Sequence, residues 1–170
     1  MANRKLGTFL LGLLAVVMMV FTAAPASAAV DPSSLAKAPN TGDVSAQAFR
    51  VLRNVGLSSG LCLANHHPDV FLFGGCTGQY ADQYWQWFPN GQIQNGHSGA
   101  CLTMHPGGRV FTHPCVPRYD DQFWRNYNGI AGMIENVFHP GWCVAAHADG
   151  NVFGFPCTSA YNDQYWYWTN

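Results

Sequence analysis

Residues 143–166 read CVAAHADGNVFGFPCTSAYNDQYW: a Cys, 13 residues, a second Cys, six residues, then Gln, an aromatic and Trp. The same unit runs from Cys62 through Cys76 to Gln83, Tyr84 and Trp85. It runs again from Cys101 through Cys115 to Gln122, Phe123 and Trp124, and here from Cys143 through Cys157 to Gln164, Tyr165 and Trp166. Successive first cysteines stand 39 and 42 residues apart while the spacing inside the unit is constant, so length changes fall only in the connecting segments. A period near 40 marks a repeat architecture. Four-stranded propeller blades share that period, but they end in Trp-Asp and need at least four blades to close a ring. Three copies fit a three-lobed barrel.

Between the cysteines of each copy lies a turn signal: Pro68-Asp69, Pro106-Gly107-Gly108 and Asp149-Gly150. β-Favouring pairs such as Val110-Phe111 and Val152-Phe153 flank the turns, so the cysteines bracket a β-hairpin. Pro114 and Pro156 directly precede a second Cys, and proline lacks the N–H a ladder needs, so those strands are expected to end or lie at an edge there. Further strands are expected at residues 49–54, 93–95 and 133–136, ahead of Gly60, Gly99 and Gly141. No stretch after residue 45 repeats its apolar residues with a 3.6-residue period, so the expectation is all-β with about four strands per lobe. Trp85, Trp124 and Trp166 are expected in the core, because a large aromatic at one position of every repeat lets three lobes meet around a shared centre. Gln83, Gln122 and Gln164 are expected to satisfy backbone groups of the turn before them.

The Gln-x-Trp endings, the paired cysteines ahead of them and the Ser-Gly-x-Cys-Leu lead-in resemble the ricin B-type β-trefoil lectins, over about residues 46–170. That resemblance implies a β-trefoil of three pseudo-symmetric lobes, about residues 46–88, 89–127 and 128–170, and a non-enzymatic carbohydrate-binding role. Six cysteines allow fifteen pairings, of which the threefold repeat selects Cys62 with Cys76, Cys101 with Cys115 and Cys143 with Cys157. A zinc site is disfavoured: the spacing matches no finger and each copy supplies two sulfurs only.

Residues 1–28 read as a secretory signal peptide, with Arg4 and Lys5 before an apolar run and Ala26-Ser27-Ala28 as the cleavage site. The apolar run is nearly long enough to be a membrane anchor, and the Ala-x-Ala site favours cleavage over retention. Residues 29–45, with Pro32, Ser33, Ser34, Pro39, Asn40 and Gly42, read as a flexible leader. An exported, extracellular chain suits cysteines that all fall inside the repeats. Residues 46–170 make one core and leave no room for a second catalytic domain. They carry five Arg, no Lys and seven acidic residues, a net charge of −2, so no basic field is available for nucleic acid or anionic membranes.

In the family the resemblance points to, a sugar pocket uses an Asp two residues after the first Cys, an aromatic two before the second, and an Asn just before Gln-x-Trp. Here those places hold Ala64, Thr103 and Ala145; then Gly74, His113 and Phe155; then Asp82, Asp121 and Asp163. The carboxylate is missing from its usual place and a new one stands in all three lobes at the third. Two more positions repeat without exception, His66, His105 and His147 four residues after the first Cys, and Tyr80, Tyr119 and Tyr161 three before the Gln. Strand alternation puts each His on the face of the missing Asp, looking toward the space it vacated. Asp, His and Tyr, with Phe155 in the third lobe, offer a charged acceptor, a switchable donor and an aromatic face, the ingredients of a polyol site. Each residue also has an ordinary structural explanation: an Asp bonding turn amides, a solvated hairpin His, a Tyr covering the barrel rim. No metal or cofactor is expected, because equivalent His residues in a threefold fold form a wide triangle. No nucleophile with a base and an orienting group stands out, so catalysis is not expected. The expected partner is a glycan or polysaccharide. The rivals are a protein-binding trefoil within a secreted assembly, which the missing Asp favours, and a small secreted hydrolase or inhibitor.

Overall fold

The computed structural model describes residues 48–57 and 60–170, so the signal peptide and leader expected at residues 1–45 lie outside the described residues. Lobe 1 consists of β1 (Arg50–Asn54), β2 (Leu61–His66), β3 (Asp69–Gly74) and β4 (Tyr84–Trp87). Lobe 2 repeats the pattern with β5 (Ile93–Asn95), β6 (Cys101–His105), β7 (Arg109–His113) and β8 (Trp124–Asn126). Lobe 3 follows with β9 (Ile134–Asn136), β10 (Trp142–Ala146), β11 (Val152–Pro156) and β12 (Trp166–Thr169). Four single 3-10 turns complete the secondary structure of the described residues, three of them just ahead of the repeated Trp.

The first and fourth strands of the lobes form a closed six-stranded barrel. β1 pairs with β4 and β12, β4 with β5, and β8 with β9, all antiparallel. Single bridges between Gln92 and Phe123 and between Met133 and Tyr165 close the remaining seams. The second and third strands are the hairpins expected between the cysteines, turning at Pro68, at residues 106–108 and around Asp149. These hairpins touch one another through Asp69–Phe111, Phe153–Arg109 and Phe71–Asn151, giving the β-trefoil its triangular cap. β7 stops at His113, directly before Pro114, and β11 ends on Pro156, as a residue without an N–H requires.

Between barrel and cap sits the core. Trp85, Trp124 and Trp166 are buried in it with Leu52, Leu63, Ile93, Leu102, Ile134 and Val144. Each indole N–H donates to the carbonyl of the residue after its lobe's first Cys: Trp85 to Leu63 at 2.9 Å, Trp124 to Leu102 at 3.0 Å and Trp166 to Val144 at 2.9 Å. The polar end of a buried indole is thereby satisfied and tied to the neighbouring strand. Gln122 and Gln164 act as expected, each accepting from the N–H after the second Cys and donating to the proline carbonyl before it. Gln83 departs from the expectation: its Oε1 is buried without a partner. Lobe 1 has Gly75, at φ +118, where the other lobes have that proline, and the loop takes another path.

The lobes are latched by Asn54, Asn95 and Asn136, a buried trio. Each side-chain N–H donates across to the backbone carbonyl of Asp163, Asp82 or Asp121 in the preceding lobe, at 2.7–2.8 Å. Each Oδ1 accepts two backbone N–H groups of its own following turn, those of Phe138 and His139 for Asn136. Replacing Asn136 by alanine leaves one carbonyl and two N–H groups without their partner. The expected loss in a urea-unfolding experiment is about 2–4 kcal/mol, from about 1 kcal/mol or more per orphaned group. A loss under about 1 kcal/mol would show that the latch is dispensable. Beside it, buried Glu135 accepts from Arg125 Nε at 2.6 Å and from the Gly141 N–H at 2.7 Å. Burial works against its charge, but those bonds and the guanidinium hold its carboxyl below the usual glutamate range.

All three disulfides form inside single lobes, Cys62–Cys76, Cys101–Cys115 and Cys143–Cys157.

Candidate functional site

The segment between second Cys and Trp crosses the edge of the hairpin and tightens into a 3-10 turn at Ala81–Gln83, Asp120–Gln122 and Asn162–Gln164. Tyr80, Tyr119 and Tyr161 stand immediately ahead of these turns and Asp82, Asp121 and Asp163 in the middle of them, because a chain reversing over three residues sets alternate side chains on one rim. His66 and His105 end β2 and β6, and His147 follows β10. His, Tyr and Asp meet in a surface cavity in every lobe, of about 290 Å³ in lobe 1, 460 Å³ in lobe 2 and 430 Å³ in lobe 3. The three His are exposed and the three Tyr about half exposed.

His66 Nε2 lies 3.4 Å from Asp82 Oδ2, and His105 Nε2 3.4 Å from Asp121 Oδ2. Lobe 3 has no such pair within the described residues. In each lobe the other oxygen, Oδ1 of Asp82, Asp121 and Asp163, is buried with no hydrogen-bond partner. That oxygen accepts from no N–H of the turn it sits in, so the ordinary explanation of a turn-bonding Asp is not realised at Oδ1. An orphaned buried oxygen costs about 1–3 kcal/mol, and three lobes carry one at the same place.

In lobe 2 the position of the missing carboxylate, Thr103, lines the cavity together with His105. Ala64, Thr103 and Ala145 are buried, and directly across the hairpin from them stand Phe71, Phe111 and Phe153. The His rings meet these phenyls edge to face, with centroids at 5.0, 4.5 and 4.4 Å. Phe155 packs near Tyr161 at 6.2 Å and lines the lobe 3 cavity, while His113 takes its place beside Tyr119 at 5.7 Å. Lobe 1 has no aromatic at Gly74; Phe73 packs on Tyr80 instead, at 5.8 Å.

Sequence reasoning missed the residue that each cavity borrows from the next lobe. His97 lines the lobe 1 cavity, Phe138 that of lobe 2 and Gly56 that of lobe 3. Each stands two residues after a latching Asn, so the usable signal was the recurring Asn and not the unlike residues that follow it.

A larger cavity of about 770 Å³ opens at one end of the barrel, beside Trp87, Phe88, Tyr167 and Trp168. Its walls carry neither carboxylate nor imidazole, and Arg50 there stacks over Trp168 at 5.4 Å. The lobe cavities, with a polar group and an aromatic face in each, are the stronger candidates.

A β-trefoil with one polar and aromatic pocket on each lobe is the class of molecule these observations define. The model of the ricin-type beta-trefoil lectin domain matches residues 48–131, just under half of the chain, and the chain resembles that family. Among solved structures it is similar to the hemolytic lectin CEL-III, with 26% identity and a TM-score of 0.60 over 72% of this chain and 30% of that one. It is also similar to the β-trefoil lectin of the Vibrio vulnificus hemolysin/cytolysin with N-acetyl-D-lactosamine bound, with 19% identity and a TM-score of 0.61 over 74% of this chain and 96% of that one. The C-half of the earthworm R-type lectin in complex with GalNAc matches with 11% identity and a TM-score of 0.57, over 71% and 96% of the two chains. The last two likenesses carry the fold alone, and the chain spans under a third of the hemolytic lectin. No curated protein matches by sequence.

Proposed function

We propose that the protein is a secreted, non-enzymatic carbohydrate-binding module with up to three weak sugar sites, whose lobe 3 site is the strongest. Lobe 3 carries this reading: Asp163 has no imidazole against it, and it shares a cavity with Phe155 and Tyr161, which are 42% and 51% exposed. A pyranose ring stacks on such a face while its hydroxyls donate to the carboxylate, and His147 completes the ring of contacts. In lobes 1 and 2 a ligand must first compete with His66 or His105 for the acceptor. Weak sites on separate lobes gain strength by engaging several sugars of one surface at once. Three disulfides and the Ala26-Ser27-Ala28 signal support an extracellular setting.

A glycan array of the oxidised mature protein, followed by calorimetry on the hits, tests this. Asp163→Ala is expected to weaken binding by about 1.5–3 kcal/mol, the range for a hydrogen bond to a charged group. Its melting temperature should hold or rise, since the substitution removes an orphaned buried oxygen. No glycan binding at millimolar concentration, or Asp163→Ala binding as well as wild type, would sink the proposal. The second reading, a protein-binding trefoil, is favoured by one observation: Phe71, Phe111 and Phe153 stand across from Ala64, Thr103 and Ala145, where the family's carboxylate would be. It expects a partner in a pull-down from secreted proteins and no glycan binding.

A further inference from the structure

The sites share a constant frame of His, Tyr and Asp; the residue between Tyr and Asp varies, as Ala81, Asp120 and Asn162, and two further rim positions flanking the frame also change from lobe to lobe. One is the residue before the Tyr: Gln79, Arg118 and Ala160. The other is the residue borrowed from the next lobe: His97, Phe138 and Gly56. Residues that repeat are what a duplicated fold needs, so positions that line every cavity and yet differ are where the lobes can diverge in ligand.

Resting on the sugar-binding reading above, we propose that lobe 3 takes a sugar residue inside a glycan chain, whereas lobe 2 takes only a chain end. In lobe 3 both rim positions are reduced to the minimum, Ala160 and Gly56. The glycine rim cannot be raised: a Cβ at Gly56 would stand 2.4 Å from the Asn162 carbonyl carbon and 2.5 Å from the Asp163 nitrogen. A ring lying on Phe155 and Tyr161 therefore meets no side chain at these two positions, and its neighbours in the chain continue into solvent.

In lobe 2 the same two positions carry Arg118 and Phe138, the latter 54% exposed. Arg118 makes no ion pair among the described residues, although Asp120 and Asp121 line the same cavity, so its long side chain stays at the rim. Side chains from two separate elements thus stand where linked sugars would pass. A single ring enters between them and a continuous chain does not.

The test uses variants with one competent lobe each: Asp82→Ala with Asp121→Ala leaves lobe 3, and Asp82→Ala with Asp163→Ala leaves lobe 2. Both are titrated with two homologous series, N-acetyllactosamine oligomers of one to three repeats and β-1,4-galactan oligomers of one to four residues. In the series that binds, affinity for the lobe 3 variant should rise about threefold or more with chain length, in step with the number of rings able to occupy the site, and that for the lobe 2 variant less than about twofold. Adding Phe138→Gly and Arg118→Ala to the lobe 2 variant should confer the length dependence, and Ala160→Arg should remove it from lobe 3. Phe138, Arg118 and Ala160 are all exposed, so these changes leave the fold intact. Equal length dependence in both lobes, or rim changes without effect, overturns this inference and leaves the sugar-binding reading standing. A wild-type domain that binds neither series while binding other glycans on the array also overturns it; one that binds no glycan overturns both.

Discussion

Replacing Trp85 by alanine is expected to lower the stability of the domain by about 3–5 kcal/mol, the usual loss for a large core aromatic. Trp85 is fully buried, and its ring fills the space between barrel and cap beside Leu63 and Ile93. Deleting it opens a cavity the size of a bicyclic ring that three meeting lobes cannot collapse into. It also leaves the Leu63 carbonyl without its 2.9 Å donor. Set against the 5–15 kcal/mol typical of whole domains, roughly a fifth or more of the stability goes with one side chain. Trp85→Phe separates the two contributions: it restores much of the volume but not the hydrogen bond, so it should fall between wild type and alanine in urea unfolding. A loss below about 1 kcal/mol for the alanine variant would mean that the repeated tryptophans are not what joins the lobes.

This packing was legible because the repeat displayed it three times. A Trp at one position of each copy, cysteines at constant spacing and turn residues between them have a structural meaning that needs only local geometry. The hairpins, the disulfides and the twelve strands follow from that. The latch of Asn54, Asn95 and Asn136 was not legible in the same way, although each Asn closes an expected strand. Its meaning is non-local, since Asn54 reaches a carbonyl 109 residues away across the seam where the chain's first and last strands meet.

The site was legible in part. His, Tyr and Asp converge in each lobe because hairpin end and 3-10 turn share a rim, and their repetition marked them. Phe71, Phe111 and Phe153 escaped because finding them requires the pairing register. Phe111 and Phe153 stand ten residues after the first Cys of their lobes, but Phe71 stands nine after its own, because the lobe 1 hairpin is one residue tighter, so the three do not line up by distance from the cysteines. The borrowed residues escaped for another reason. His97, Phe138 and Gly56 share no chemistry, and a search for repetition passes over a position whose interest lies in its variation.

Reducing all three disulfides is expected to unfold the domain or bring it to the edge of unfolding at 37 °C. Each bridge spans 14 positions and closes a 15-residue loop within one hairpin, for which the chain-entropy account gives about 3 kcal/mol. The loops do not overlap, so their effects add to about 9 kcal/mol, within the whole stability range of a domain of this size. The fold offers little to hold a loosened hairpin locally, because the three hairpins meet only at the cap, through contacts such as Asp69–Phe111 and Phe153–Arg109. Loosening one removes a wall of the other two. Cys62, Cys101 and Cys143 are buried, but their partners Cys76, Cys115 and Cys157 are only half-buried, so a reductant reaches every bridge from the side of its second cysteine. The intact mass of the native protein should lie about six hydrogens below that of the reduced chain, one pair per bridge. Cys→Ala pairs made one lobe at a time should each cost about a third of the total in urea unfolding. A reduced domain that unfolds within about 1 kcal/mol of the oxidised one would show that barrel pairing and the tryptophan core hold the trefoil without its staples, and peptides joining Cys76 to Cys101 would break the lobe assignment itself.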